Sequence, residues 1–157
     1  MSETRFIDAP LIADLLQQAE AAPRRRAHLN LHARLDDPAQ RLLVAICPDS
    51  YVRPHCHLAP TKAETLWVLQ GALGVLVFDE TGQISDARRM EAGGACWGYD
   101  VPPGVWHSIV CLGSGTVFAE AKAGPYTPLV AAEWAPWAPE EGSPEAPAYR
   151  AALQARF

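Results

Sequence analysis

Residues 53–64 read RPHCHLAPTKAE, and this stretch holds two histidines two positions apart in a chain that has five. Side chains at positions i and i+2 of a β-strand project from the same face, so His55 and His57 can reach one point. Glu64 opens the next strand-like run, and His107 follows a rigid Pro-Pro-Gly turn. A lone His-x-His pair is more often structural, but three imidazoles and a carboxylate suit a divalent transition metal. The pattern predicts a metal site with these four residues as its ligands.

The composition is that of one globular domain, and the net charge argues against nucleic acid as a partner. Hydrophobic residues make up 49% of the 157 positions and charged residues 20%, which is typical of a folded chain with a single core. The net charge of −5 does not favour nucleic-acid binding. The apolar runs are too short to span a membrane and the first residues begin no secretory signal, so we expect a cytoplasmic protein without a membrane partner.

The spacing of hydrophobic residues changes once along the chain, from a helical pattern to a strand pattern. Residues 9–22 carry apolar side chains at helical spacing, and Pro23 ends that pattern. From residue 28 to residue 35 apolar and polar residues alternate, as in a strand with one buried face. Short strand-like runs separated by turn residues follow, which indicates a sandwich, jelly roll or barrel. These runs are 41–47, 51–57, 64–70, 73–79, 84–90, 96–101, 107–112 and 116–122.

The same patterns predict how the domain is organised. We expect a single domain over residues 1–157, with the barrel at about 26–125 and the short N-terminal helix before it. Residues 126–157 are rich in Pro and Trp, and we interpret them as a tail wrapped on the barrel because tryptophan favours burial. A helix is predicted near 147–156.

Two sets of residues resemble the motifs of the cupin superfamily. The first is His55-Cys56-His57, then Glu64 and, after six residues, Gly71; the second runs from Pro102 to His107. The resemblance implies an all-β cupin fold, the double-stranded β-helix or jelly-roll barrel, with a short N-terminal helix and a C-terminal helical tail. It also implies the same four metal ligands that the spacing suggests.

The chain departs from the cupin pattern at four places. Asp49 and Cys96 stand where glycines are expected, and Cys111 stands where an asparagine is expected. The fourth departure is the loop before Glu64, which holds six residues instead of three or four. Because the spacing from Glu64 to the glycine that follows is intact, the extra length lies in this loop, which decides whether the carboxylate reaches the metal.

Several further stretches resemble the small bacterial WbuC-type cupin-fold metalloproteins. Members of that family occur among surface-polysaccharide gene clusters, so the resemblance implies a metal and a sugar-related context without giving a reaction. The stretches that carry it are RAHLNLH at 26–32, QRLL at 40–43, YVRPH at 51–55, KAGPY at 122–126 and WAP at 137–139.

Three residues are candidates for binding a substrate. Arg53 shares strand parity with the two histidines of the first motif and should face the interior, where it would bind a carboxylate or phosphate or else pair with an internal acid. Asn30 lies on the polar face of the first strand, which could equally face water. Tyr99 is either a core aromatic or a residue that stacks on a ligand.

Candidates for acid–base catalysis are few. We consider His32 on the first strand, Tyr51 at the expected mouth and Lys122 at the end of the last strand. The alternative is that Lys122 is a solvent-exposed lysine without a catalytic role.

Two classes of function fit these residues. The first is a metal-dependent enzyme acting on a small polar or anionic metabolite, by sugar isomerisation or epimerisation or by dioxygenase chemistry, since four ligands on an octahedral ion leave two positions open. The second is a non-enzymatic metal- or ligand-binding cupin. We expect one divalent transition metal, with Fe(II) favoured over Zn, Mn or Ni, a small-molecule ligand and a homodimer.

Overall fold

A computed structural model describes residues 4–157, and its first element is helix α1, Ala9–Ala21. The helix begins where the Asp8 side chain accepts a hydrogen bond from the Leu11 amide at 3.1 Å, which satisfies one of the free N–H groups of the first turn. It ends at Ala22, whose backbone is extended, as is favoured before a proline. The predicted N-terminal helix is confirmed.

Eight strands follow α1 within residues 4–157 and form two antiparallel sheets. The larger sheet has the order β1-β2-β8-β3-β6 and the smaller has the order β5-β4-β7. Several neighbours, such as β2 and β8 or β4 and β7, are distant in sequence, which is the connectivity of a jelly roll. The strands are β1 Arg26–Asn30, β2 Ala39–Ile46, β3 Glu64–Gln70, β4 Ala72–Phe78, β5 Ile84–Glu91, β6 Gly98–Val101, β7 Trp106–Cys111 and β8 Thr116–Ala123.

Two strand predictions are wrong. The first strand stops at Asn30 instead of continuing to residue 35, because the Asp37 carboxylate accepts the amides of Ala33 and Arg34 and folds this segment into a turn. Residues 51–57 form no regular strand; His55 alone makes isolated bridges. Proline at position 54 has no N–H to donate, so a continuous ladder cannot form there.

The core lies between the two sheets. Leu66 and Val44 project inward from the larger sheet and pack against Leu73 and Met90 of the smaller one. A second cluster on the outer face of the larger sheet is covered by α1, with Leu15 against Leu43. The cavity described below therefore opens within an otherwise filled sandwich.

The C-terminal tail, residues 126–157, covers the outside of this sandwich. It contains a 3-10 turn at Ala131–Glu133 and helix α2 at Ala146–Gln154, near the predicted position. Leu153 of α2 packs on Leu76 and Val110 of the smaller sheet. None of the helices within residues 4–157 has the length and apolar character that crossing a membrane requires.

The packing between the sheets can be tested at Leu73, which is fully buried. We expect Leu73→Ala to lower the free energy of unfolding by about 2–5 kcal/mol, because it leaves a cavity between the sheets. The matched control is Leu35→Ala, whose side chain is 57% exposed and which should change stability by less than about 0.5 kcal/mol. Urea unfolding of both variants measures the difference, and equal losses would contradict this account of the core.

Candidate metal centre

Four side chains from distant parts of the chain meet at one end of the sandwich. One ligand atom each from His55, His57, Glu64 and His107 lies within 4.8 Å of all the others. Glu64 is the first residue of β3 and His107 lies in β7, so the two sheets each supply one group. The segment between β2 and β3 supplies the other two. The predicted residues are thus brought together by the fold.

Backbone carbonyls orient two of the imidazoles. The Nδ1 of His55 donates to the Arg53 carbonyl, and the Nδ1 of His107 donates to the Val105 carbonyl, both at 2.9 Å. With the proton on Nδ1, the lone pair of each ring lies on Nε2, which is the arrangement that metal-binding histidines use. Among residues 4–157, the buried Nε2 of His107 has no hydrogen-bond partner. This donor set and its orientation fit a divalent transition metal.

The Glu64 carboxylate lies between the imidazoles. Its Oε2 is 3.0 Å from Nε2 of His57, and its Oε1 is 3.8 Å from Nε2 of His107. Burial alone would raise the pKa of Glu64, but the neighbouring imidazoles of His107 and His57 and the charge of Lys122 outweigh it and hold this pKa well below its ordinary range. The carboxylate is therefore ionised at neutral pH.

Burial also keeps His55 neutral. Its pKa is lowered to about 3, first by desolvation and then by the neighbouring His107. A neutral imidazole is the form that binds metal, so no proton has to leave this ring at neutral pH.

The long loop before Glu64 does not displace the carboxylate. Residues 58–63 form a turn in which the Lys62 amide bonds the Ala59 carbonyl at 2.9 Å. The Leu58 amide donates to the Glu133 carboxylate of the tail at 2.9 Å. Glu64 keeps its place in the sheet opposite Lys122 and Val101. The extra residues are absorbed in the loop, and the strand register is preserved.

Two further predicted residues contact the Glu64 carboxylate directly. The Tyr99 hydroxyl donates to its Oε1 at 2.9 Å, and the Lys122 ammonium lies 3.4 Å from its Oε2 and 2.6 Å from Glu120. Burial and the charge of Glu64 raise the pKa of Tyr99 well above its ordinary value, so the phenol remains a donor. Burial would lower the pKa of Lys122, but the charges of Glu120 and Glu64 raise it.

A cavity of about 180 Å³ opens beside the centre. Hydrophobic side chains form part of its wall, including Val52, Ile109 and Phe118, and the metal-site residues His55, Glu64 and His107 form another part. Small mixed cavities of this kind are where proteins bind small molecules.

The predicted pocket residues divide into two groups. Arg53, Tyr99 and Lys122 line the cavity. Asn30 is exposed at the end of β1, and the Nδ1 of His32 contacts the backbone of Arg41, so neither is brought to the cavity. The Tyr51 hydroxyl donates to the Pro139 carbonyl at 3.0 Å, outside the cavity lining.

Sequence reasoning missed several residues that line the cavity, among them His28, Glu120 and Trp134. Strand parity could have found Glu120, because it shares a face of β8 with Lys122. Trp134 lies in the tail, where its ring centroid is 5.8 Å from that of His55, and no local pattern signals this contact.

The tail is clamped across the cavity by an ion-pair cluster. Glu141, which lines the cavity, accepts hydrogen bonds from Arg24 at 2.9 and 2.6 Å and from Arg26 at 3.0 Å. The Arg26 side chain is only 7% exposed, so its charge depends on this partner. Glu141 therefore fixes the tail over the metal centre.

Solved structures share this fold at low sequence identity. KdgF from Halomonas sp. matches with a TM-score of 0.51 and 18% identity, over 68% of this chain and 84% of that chain. An oxalate oxidase in complex with the substrate analogue glycolate matches with a TM-score of 0.50 and 19% identity, over 66% of this chain and 52% of that chain. The predicted all-β jelly-roll fold is confirmed.

The family can be stated more narrowly. Residues 7–90, more than half of the chain, match the model of a domain of unknown function, DUF6016, and the chain belongs to this family. No curated protein is significantly similar to it. The cluster of three histidines and a glutamate is a candidate metal site within this fold.

The clamp on the tail predicts a pH-dependent stability. Burial raises the pKa of Glu141, but the hydrogen bonds from Arg24 and Arg26 outweigh it, so this pKa is lowered from its ordinary 4.5. The stabilisation is therefore complete above pH 4.5 and is lost as the pH falls through the lowered value. At pH 7 we expect Glu141→Gln to lower the free energy of unfolding by about 1–3 kcal/mol.

Urea unfolding between pH 7 and pH 3, in the presence of a chelator, checks this expectation. The difference between the wild type and Glu141→Gln should shrink below pH 4.5. The control is Glu140→Gln, since the Glu140 side chain is 83% exposed and its loss should have little effect. A difference that stays constant down to pH 3 would show that the clamp does not depend on ionised Glu141.

Proposed function

We propose that the protein is a metal-dependent enzyme that acts on a small polar or anionic metabolite. The observation that carries this proposal is the convergence of the four donor atoms beside a cavity, with His107 Nε2 buried and without a hydrogen-bond partner among residues 4–157. His55, His57, Glu64 and His107 would hold one divalent transition metal. We favour Fe(II), with Zn, Mn and Ni as alternatives, because three imidazoles and a carboxylate suit all of these ions.

A bound metal would supply Lewis-acid or oxygen chemistry at this position. The chain's own residues hold the centre together. Tyr99 and Lys122 fix both oxygens of Glu64 through hydrogen bonds, and the carbonyls that bind the Nδ1 atoms fix the two imidazoles. The apolar wall of the cavity limits the water around a substrate. Arg53 would bind an anionic group of that substrate, and Tyr99 would contact it beside the carboxylate.

Proton transfer would fall to few groups. Lys122 is the candidate nearest to the centre, and its contact with Glu120 at 2.6 Å gives it a partner that can accept or return a proton. His32 and Tyr51, together with the predicted substrate contact Asn30, stay predictions that would require approach from outside the cavity.

The second candidate is a non-enzymatic metal- or ligand-binding cupin. It is favoured by the environment of Lys122, the candidate acid–base group nearest to the centre. The carboxylates of Glu120 and Glu64 contact this lysine and raise its pKa. A base that is firmly protonated at neutral pH is poorly suited to abstract a proton. Turnover of any substrate would decide between the two candidates.

The finer predictions rest on the resemblance to WbuC-type proteins. We propose a bacterial, cytoplasmic homodimer with a role in surface-polysaccharide metabolism, where sugar isomerisation or epimerisation is the expected chemistry and a dioxygenase reaction is the alternative. The short strands and the tail that packs on them support treating residues 1–157 as one domain.

Metal analysis tests the proposal. Protein produced with Fe, Zn, Mn or Ni supplements should carry about one equivalent of metal per chain, measured by elemental mass spectrometry. His107→Ala should lower metal affinity on the order of tenfold or more, and Glu64→Gln should lower it as well. The matched control is His28→Ala, because His28 lines the cavity but is not among the four clustered residues.

The outcomes separate the alternatives. A wild type that binds no stoichiometric transition metal under any supplement would overturn the proposed function. If Glu64→Gln leaves affinity unchanged, the centre has three histidine ligands only. For iron-loaded protein, oxygen consumption against a metabolite panel distinguishes a dioxygenase from an isomerase.

A further inference from the structure

We propose that Arg53 forms an anion subsite beside the metal centre and that the ligand of this cavity is a small carboxylate. The inference rests on the proposed function, because it assigns the substrate class of the same site. It is carried by the contacts and the charge balance of the cavity.

Arg53 is held at the cavity wall two residues before His55. Its Nη2 donates to the Ala135 carbonyl at 3.0 Å, and its Cζ lies 5.7 Å from the centroid of the Trp134 ring. The side chain is 17% exposed and lines the same cavity as His55, Glu64 and His107. The guanidinium is therefore fixed in place near the predicted metal.

This guanidinium has donor capacity left over. Its buried Nε has no hydrogen-bond partner among residues 4–157, and leaving such a group unpaired costs about 1–3 kcal/mol. The nearest carboxylate is that of Glu140 at 3.9 Å, and this side chain is 83% exposed. A solvated pair at that distance contributes little, so Arg53 retains an essentially uncompensated charge.

The other charged groups around the cavity have partners. Arg24 and Arg26 share the carboxylate of Glu141, and Lys122 contacts the carboxylates of Glu120 and Glu64. The Arg24–Arg26–Glu141 cluster keeps one excess positive charge and the Lys122–Glu120–Glu64 cluster keeps one excess negative charge, so the two clusters together are neutral. The positive charge left open within the described cavity lining is that of Arg53.

One open guanidinium fits a carboxylate better than a phosphate. A carboxylate carries a single negative charge and is planar, as is the guanidinium fork that binds it. A phosphate monoester is tetrahedral and presents three strong acceptor oxygens, more than one planar guanidinium fork can bind. The apolar wall formed by Val52, Ile109 and Phe118 restricts the rest of the ligand to a short, compact body.

The test uses metal-loaded protein and probes matched in shape. Acetate is compared with acetamide, lactate with lactamide, and inorganic phosphate serves as the third arm. Binding is measured by calorimetry and by the visible spectrum of Co(II)-loaded protein, which reports ligands at the metal. We expect the carboxylates to bind at least about tenfold more tightly than their amides, because the amides cannot form a charge-assisted bond to Arg53.

Variants assign that preference to Arg53. Arg53→Gln should remove the preference for carboxylates, and Arg53→Lys should retain part of it, because the charge remains and the planar fork is lost. The matched control is Arg34→Gln, whose side chain is 73% exposed and which should bind like the wild type. Metal content and circular dichroism of each variant establish that the centre and the fold are intact.

The possible results test the anion subsite and the proposed function separately. Metal binding without a carboxylate preference in the wild type would overturn the inference alone, even if Arg53→Gln fails to fold. Arg53-dependent binding of phosphate in place of the carboxylates would overturn the assignment to carboxylates. Failure of the wild type to bind Co(II) would overturn both the proposed function and the subsite.

Discussion

Two backbone hydrogen bonds between His55 and His107 join the parts of the metal centre. The amide of each residue donates to the carbonyl of the other, at 3.0 and 2.9 Å. Residues 51–57 make no regular ladder, so this reciprocal pair fixes an otherwise irregular segment against β7. The ring centroids of the two imidazoles are consequently 4.6 Å apart, and the remaining ligands are placed around them by β3 and by the segment itself.

The fold was largely predictable because apolar and polar residues alternate along a strand that has one buried and one exposed face. The run predicted at residues 64–70 coincides with β3, and the other regular strands except β1 match within about two residues. The errors have a non-local cause. The segment around His55 is shaped by Pro54 and by contacts with β7 and with Trp134 of the tail, and a local pattern cannot report partners so distant in sequence.

The site was predictable in its residues but not in its supporting contacts. Spacing along the chain identified the two histidines, the glutamate and His107, although His55 and His57 lie in an irregular segment instead of the strand that the spacing predicted. Tyr99 was predicted as a pocket residue, yet nothing local indicated that its hydroxyl donates to Glu64. Glu120 and Trp134 were missed because their positions depend on how β8 and the tail pack.

The charge distribution explains how so many polar groups can be buried together. Both oxygens of Glu64 have two partners: Oε1 meets Tyr99 and His107, and Oε2 meets His57 and Lys122. If the imidazoles direct their lone pairs to a cation, Tyr99 and Lys122 remain as the contacts that hold the carboxylate. Outer contacts of this kind fix the direction of a ligand and its basicity. The carboxylate is thus held in place beside the imidazoles of His57 and His107, oriented to share a cation with them.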